Sequence, residues 1–237
     1  AVRTVRMDGV TLLRGRTTIF NGLNLEFAES RIGLIGDNGA GKSSLFRLLC
    51  GLDTPSAGRI TVHGADVGPF DVRERPVGMM FQNPDEQIIF PTVEEELALG
   101  LEVGGLQRRQ AREQARAWLQ ARGLGHWAER AISSLSQGQR QHVCWLAILL
   151  TQPALILLDE PFASLDLPSQ ALLHSDLARV GQQVIVSTHV LEHLQDFDRV
   201  IWLEQGRVRA DGHPVTVCAD YRADVAARIA ARTATVT

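Results

Sequence analysis

The rhythm of apolar and polar positions changes along the chain, and each change predicts an element. Val5–Leu13 and Ile19–Phe27 are rich in apolar and β-branched residues and are broken at Arg14–Thr18 and Asn21–Gly22. That pattern predicts short strands joined by turns. Arg31–Ile35 reads as a short apolar strand stopping at Gly36. From Lys42 the period lengthens. Leu45, Leu48, Leu49 and Leu52 share one helical face, with Gly51 as the stop. Ile60–Val62 and Val77–Phe81 return to strand.

From Val93 to Thr151 strand signal nearly disappears and two long helical patterns take over. Gln107–Arg122, crowded with Arg, Gln and Ala, predicts a solvated helix whose narrow buried face holds Trp118 and Leu119. Gln139–Leu150 predicts a more apolar helix. The alternation then resumes with strand Leu155–Leu158, helix Gln170–Val180, and strands Val184–Ser187 and Val200–Leu203. Continuous apolar strands separated by helices predict a parallel sheet covered on both faces. The Ala/Arg-rich tail, Ala223–Thr237, predicts a short helix that frays.

Composition narrows the classes. The chain has 237 residues, 45% of them apolar, enough for one large domain with a subdomain. A formal charge of −3 lacks the basic footprint of broad nucleic-acid binding, so no nucleic-acid partner is expected. Cys50, Cys144 and Cys218 are scattered without pairing motifs, which fits a reducing compartment. No signal peptide is expected, and no apolar run approaches the about 20 residues of a spanning helix. A membrane role must run through a partner.

The chemistry begins at Gly36. Gly36-Asp37-Asn38-Gly39-Ala40-Gly41-Lys42-Ser43 matches the phosphate-loop pattern G-x-x-x-x-G-K-S/T, with an apolar strand before it and a helix after it. Gly39 and Gly41 let successive N–H groups turn inward as an anion nest, and the helix N-terminus adds its own attraction. Asn38, Gly39, Ala40, Gly41, Lys42, Ser43 and Ser44 are therefore the expected nucleotide contacts. Lys42 faces the β- and γ-phosphates of ATP, and Ser43 ligates Mg2+. Leu155-Ile156-Leu157-Leu158-Asp159-Glu160 is an apolar strand ending in two carboxylates. Such a pair ordinarily marks an exposed turn. Downstream of a phosphate loop, Asp159 becomes the Mg2+-shell carboxylate and Glu160 the residue that polarises the attacking water. His189, after the strand Val184–Ser187, would be structural if judged alone.

Together these residues resemble the ATP-binding-cassette (ABC) ATPases. Leu135-Ser136-Gln137-Gly138-Gln139 is similar to the L-S-G-G-Q signature, Ala163-Ser164-Leu165-Asp166 to the D-loop, His189 to the switch histidine, and Gln82 to the Q-loop glutamine. The resemblance runs from about Val5 to Pro214. It implies an α/β P-loop NTPase (RecA-like) core with an N-terminal antiparallel β subdomain and an inserted helical subdomain. Residues 1–83 and 152–214 would form the core, 84–151 the helical subdomain, and 215–237 a short tail. It also implies that Ser136, Gly138 and Gln139 meet the γ-phosphate held by a second ATPase subunit, so that hydrolysis requires a dimer, here a homodimer. Catalytic roles fall to Glu160, His189 and Gln82, and Gln82 joins Ser43 and Asp159 near the metal.

Two positions depart from the family. Gln137 replaces the first signature glycine. The stretch Leu12-Leu13-Arg14 lacks the aromatic that usually stacks on adenine, leaving Arg14 to stack through its guanidinium plane.

Phe81-Gln82-Asn83-Pro84-Asp85-Glu86-Gln87 and Pro91-Thr92-Val93-Glu94-Glu95-Glu96 resemble the ATPases of energy-coupling-factor importers, which take up vitamins and the transition metals cobalt and nickel. The L-S-Q-G-Q form is more similar to the biotin-type members than to the cobalt type. The resemblance implies an integral membrane transport subunit and a substrate-binding membrane component as partners, with this chain peripheral on the cytoplasmic face of the inner membrane. Ile88, Ile89 and Phe90 either receive a membrane-subunit helix or pack inside the helical subdomain. The alternatives are another ABC importer or a soluble ABC ATPase of repair or translation. Against the latter stand a single ATPase domain, no heptad stretch and no cysteine cluster.

Overall fold

The computed structural model describes residues 3–68 and 77–234, and the chain divides into two compact units, 1–66 with 183–237 and 67–182. In the first unit, β1 (Val5–Arg14) and β2 (Thr17–Phe27) form an antiparallel hairpin. Their alternation buries Val5, Met7, Leu12, Leu25 and Phe27 on one face. β4 (Ala57–Val62) pairs with the other edge of β1, and the two-residue β5 (Ala65–Asp66) completes the order β2-β1-β4-β5. The same unit holds β3 (Arg31–Ile35), β8 (Gln183–Ser187), β9 (Arg199–Glu204) and β10 (Arg207–Gly212) in the order β10-β9-β3-β8. β3 lies parallel to both β8 and β9, whereas β10 returns antiparallel as a hairpin with β9. β8 is buried throughout its length, as a strand covered on both faces must be.

Two helices belong to this unit. α1 (Lys42–Leu49) comes after β3 and buries Leu45, Phe46, Leu48 and Leu49. The chain then leaves the helix through Gly51 at φ 75°, the left-handed turn expected of a glycine stop. α6 spans Pro214–Ala234, longer than the short tail helix expected from 223 onward. Pro214 opens it, where a missing N–H costs nothing, and Val217 and Cys218 anchor its first turn.

The second unit contains the parallel pair β6 (Val77–Met80) and β7 (Leu155–Asp159) and the helices α2 (Val93–Val103), α3 (Arg108–Ala121), α4 (Gln137–Thr151) and α5 (Leu167–Arg179). Val93, Leu97, Ala98, Ala111, Ala115, Leu119, Val143 and Leu146 share one core. Ala111, Ala115 and Leu119 recur every four residues, so one stripe of α3 is apolar while its other faces carry Arg and Gln. The buried face is narrower than expected. Leu119 is inside, but Trp118 is only partly buried, with the Arg122 guanidinium 3.5 Å above its ring.

α2 matches neither of the two long helical patterns in this stretch, Gln107–Arg122 and Gln139–Leu150, and the charges of its first turn, Glu94-Glu95-Glu96, suggest a solvated face. Instead Glu94 is 2% exposed and Glu96 is buried too. The Glu94 carboxylate accepts from Arg112 (2.5 Å) and Arg116 (2.8 and 3.0 Å) of α3. Glu96 Oε2 accepts the Ile89 and Phe90 N–H groups at 3.0 and 2.9 Å. Among the described residues, no helix is long and apolar enough to cross a membrane.

Candidate functional site

In the first unit the phosphate loop runs from the end of β3 to the start of α1. Gly36, Gly39 and Gly41 take φ values of 147°, 83° and 108°. At Gly41 the requirement is double. The backbone is left-handed, and an added Cβ would lie 2.8 Å from Cε1 of the buried Phe20. Ala40 N–H donates to the Asp37 carbonyl at 3.1 Å, and the Ala40 carbonyl accepts Gly206 N–H at 2.9 Å, tying the loop to the β9–β10 turn. No side chain caps α1 and no acid sits in its first turn. Its leading N–H groups therefore point at an open, electropositive end. Lys42 is 8% exposed and donates to the Gly36 carbonyl, so its cation is folded over its own loop. Ser43 is exposed and Ser44 buried.

His189 lies just beyond β8 and is exposed, with Nε2 3.1 Å from Asn38 Oδ1. Two residues singled out 151 positions apart are thus brought together at the loop. Arg14 ends β1, and its Nη2 donates to Asp53 Oδ2 at 2.6 Å, a carboxylate it shares with Arg47. Its guanidinium edge is committed to an ion pair.

Sequence reading passed over a second layer around the loop. Tyr221 Oη donates to Asp37 Oδ1 at 2.8 Å, while Arg228 donates through Nη1 to Oδ2 at 2.6 Å and through Nη2 to Oδ1 at 3.2 Å. These donors and Asp37 lie in one unit. The Arg228 and Tyr221 hydrogen bonds outweigh burial and hold the Asp37 carboxyl below its ordinary value. The only advance signal was the seven-residue spacing of Tyr221 and Arg228, two turns of one helix face, and it had no partner in view.

In the second unit β7 delivers two buried carboxylates. Asp159 ends the strand, and Glu160, 7% exposed, takes φ 47°. A non-glycine residue there costs about 1–2 kcal/mol, and such conformations concentrate at functional sites. Tight turns come next, with Ala163 N–H donating to the Glu160 carbonyl at 3.3 Å. Asp166 then caps α5 by accepting Ser169 N–H at 2.9 Å.

The signature region opens α4 with a capping box. Ser136 Oγ accepts Gln139 N–H at 3.1 Å, and Gln139 Oε1 accepts Ser136 N–H at 2.9 Å. Gln137, the departure from the family pattern, donates through Nε2 to Ser164 Oγ at 3.1 Å, and Gln141 donates to the Pro161 carbonyl. A cavity of about 650 Å³ lies along this surface, lined by Ser136, Gly138, Gln139, Ser164, Leu165 and Trp145 among others. A Cβ on Gly138 would approach Leu165 Cδ2 at an ordinary 3.6 Å, so packing within the unit does not demand glycine there. Gln82 is exposed just beyond β6. The apolar triplet divides: Ile88 packs against the helical core, Ile89 is 74% exposed and Phe90 is half-buried.

Comparison with known proteins places this geometry in a family. The sequence profile described as ABC transporter matches residues 20–163. The chain is 47% identical over 221 residues to the biotin transport ATP-binding protein BioM of Rhodobacter capsulatus, covering 93% of this chain and 94% of that one. It is 37% identical over 208 residues to the energy-coupling factor transporter ATP-binding protein EcfA1 of Symbiobacterium thermophilum, covering 84% and 72%. Among solved structures, cbiO1 from Clostridium perfringens, part of the ABC transporter complex cbiONQ, superposes with a TM-score of 0.76 at 25% identity over 92% of this chain and 91% of that one. With the profile covering more than half the chain and a relative 47% identical over nearly the full length of both chains, the chain belongs to the ABC transporter ATP-binding family.

Proposed function

We propose that this chain is the ATP-hydrolysing subunit of an energy-coupling-factor importer whose cargo is biotin. The observation that carries the ATPase reading is the phosphate loop, with its left-handed glycines, uncapped helix start and buried Lys42. The biotin reading rests on the similarity to the Rhodobacter capsulatus protein over almost all of both chains.

The N–H groups of residues 38–44 and the Lys42 ammonium bind the phosphates of ATP, and Arg14 lies against adenine. Glu160 orients the attacking water. His189, already hydrogen-bonded to Asn38, contacts the γ-phosphate. Among the described residues no group of three or more His, Cys, Asp or Glu forms a self-contained metal cage. The Ser43 hydroxyl, Asp159 carboxylate and Gln82 amide are oxygen donors, the set used by a hard cation that keeps waters and substrate phosphates as its other ligands. They fit Mg2+, which when bound neutralises charge on the phosphates.

The signature faces a second copy of the chain. Ser136, Gly138 and Gln139 meet the γ-phosphate bound by the partner copy. A glycine that its own unit does not require is consistent with close approach by something outside it. Leu167 and Leu172, exposed on α5 beside the D-loop, supply apolar surface for the same dimer. Two copies close on two ATP, hydrolysis reopens them, and the motion drives membrane subunits while the chain stays peripheral on the cytoplasmic face.

The test compares wild type with Glu160→Gln in MgATP by light scattering and phosphate release. The variant should stop releasing phosphate and persist as a dimer, whereas wild type cycles back to monomer. A Glu160→Gln protein that hydrolyses ATP at the wild-type rate would remove Glu160 from the mechanism.

A further inference from the structure

We propose that Arg228 and Tyr221 of α6 are positioning residues for the nucleotide, acting through Asp37 to set the charge of the phosphate loop. The inference rests on residues 36–43 being the phosphate site.

Asp37 is the second residue of that loop, and its exposed carboxylate is the wrong charge for a place that must receive a triphosphate. Three donors from one helix face occupy both its oxygens. Arg228 grips it with a two-nitrogen fork and Tyr221 adds an O–H. The guanidinium is itself aimed, because Arg228 Nε donates to Asp224 Oδ2 at 2.8 Å one turn earlier. The phenol is steadied by an edge-on contact with the buried Trp202 of β9, ring centroids 5.3 Å apart. Beyond its anchored first turn, α6 is mostly exposed, so its seat against the phosphate loop runs through Asp37.

A plain surface ion pair would contribute little wherever it stood. This one stands where charge decides binding. The Asp37 carboxylate already feels the Lys42 ammonium, which must be available to phosphate. With Arg228 in place the loop presents Lys42 and its N–H groups against a neutralised Asp37. Without it, one uncompensated negative charge faces ATP.

The test is equilibrium binding of a fluorescent ATP analogue to the full chain, with steady-state hydrolysis alongside. Arg228→Ala should weaken binding about three- to five-fold, the range expected for a partly screened charge pair. The loss should appear in KM, with kcat changed less than about two-fold. Asp37→Asn should bind at least as tightly as wild type, and Asp37→Asn with Arg228→Ala should return to wild-type affinity. Arg228→Lys should recover most of the loss. Unchanged binding by Arg228→Ala overturns the proposal. So does a double variant as weak as Arg228→Ala, which would make the contact a structural seat for α6. If Arg228→Ala does not fold, Asp37→Asn decides alone, and weaker binding than wild type overturns the inference. Lys42→Ala separates the two readings: wild-type affinity there removes the phosphate-site assignment itself, whereas loss there beside an unaffected Arg228→Ala removes only this inference.

Discussion

Tyr221 is the chain's single tyrosine, so phenolate absorbance reports this one side chain. Burial first, and then its hydrogen bond to the Asp37 carboxylate, push its pKa from 10.0 up to about 12. An acid raised in the folded state favours folding below its ordinary value, and that contribution is lost as pH rises through about 12. Absorbance titration of the folded protein should therefore show ionisation near pH 12. In Asp37→Asn the midpoint should fall toward 10, because the charged acceptor is gone; an unmoved midpoint would leave burial as the sole cause. Glu160 makes a different point at the same scale. Its left-handed backbone, φ 47°, is tolerated only because β7 and the turns after it are closed by burial and hydrogen bonds.

At the scale of elements, α2 and α3 are joined by a charge clamp as well as by apolar packing. Burial alone would raise the Glu94 pKa, but the Arg112 and Arg116 hydrogen bonds win and hold it below the ordinary 4.5. A carboxylate lowered on folding stabilises above its unfolded value, and that contribution is lost as pH falls through the lower folded value. Urea denaturation at successive pH values should show wild type losing stability steadily below about pH 4.5. Glu94→Gln should be less stable near neutrality and flatter in its acid limb. Parallel acid limbs would mean that Glu94 is not the group titrating. The clamp matters to function through its neighbour. Glu96, in the same first turn, holds the backbone N–H groups of Ile89 and Phe90 and so fixes the segment just after the Q-loop.

For the whole molecule, Ile89 is exposed while Ile88 is committed to the helical core, so Ile89 is the residue at which the proposed docking of a membrane subunit can be tested. Ile89→Asp should leave ATP hydrolysis by the isolated chain near wild type. It should reduce co-purification with co-expressed membrane subunits at least several-fold, and substrate uptake by the assembled importer with it. Full assembly with Ile89→Asp would take Ile89 out of the docking surface. Ile88→Asp should instead destabilise the chain itself, since a charge would replace a residue packed on the apolar core.

Much of this molecule is legible from residue order, because its determinants are local. β3 matches its apolar run, Arg31–Ile35, residue for residue, and β7 and α1 match theirs within a residue or two. A period of two or of 3.6 is written in neighbouring residues, and the phosphate-loop and signature chemistry needs contiguous glycines, hydroxyls and a lysine. The α/β character and the family come from that, and so does the expectation that the loop binds anions. Tertiary structure alone decided the rest. Glu94 and Glu96 look solvated until arginines of another helix and backbone N–H groups compensate their burial, which is why α2 was hidden. Gln137 looks like a damaged signature until Ser164 accepts its amide. Asp37 looks like a filler position until two side chains of α6, 184 and 191 residues on, close over it. A carboxylate's cost depends on partners that the fold, and not the local sequence, brings within hydrogen-bond reach.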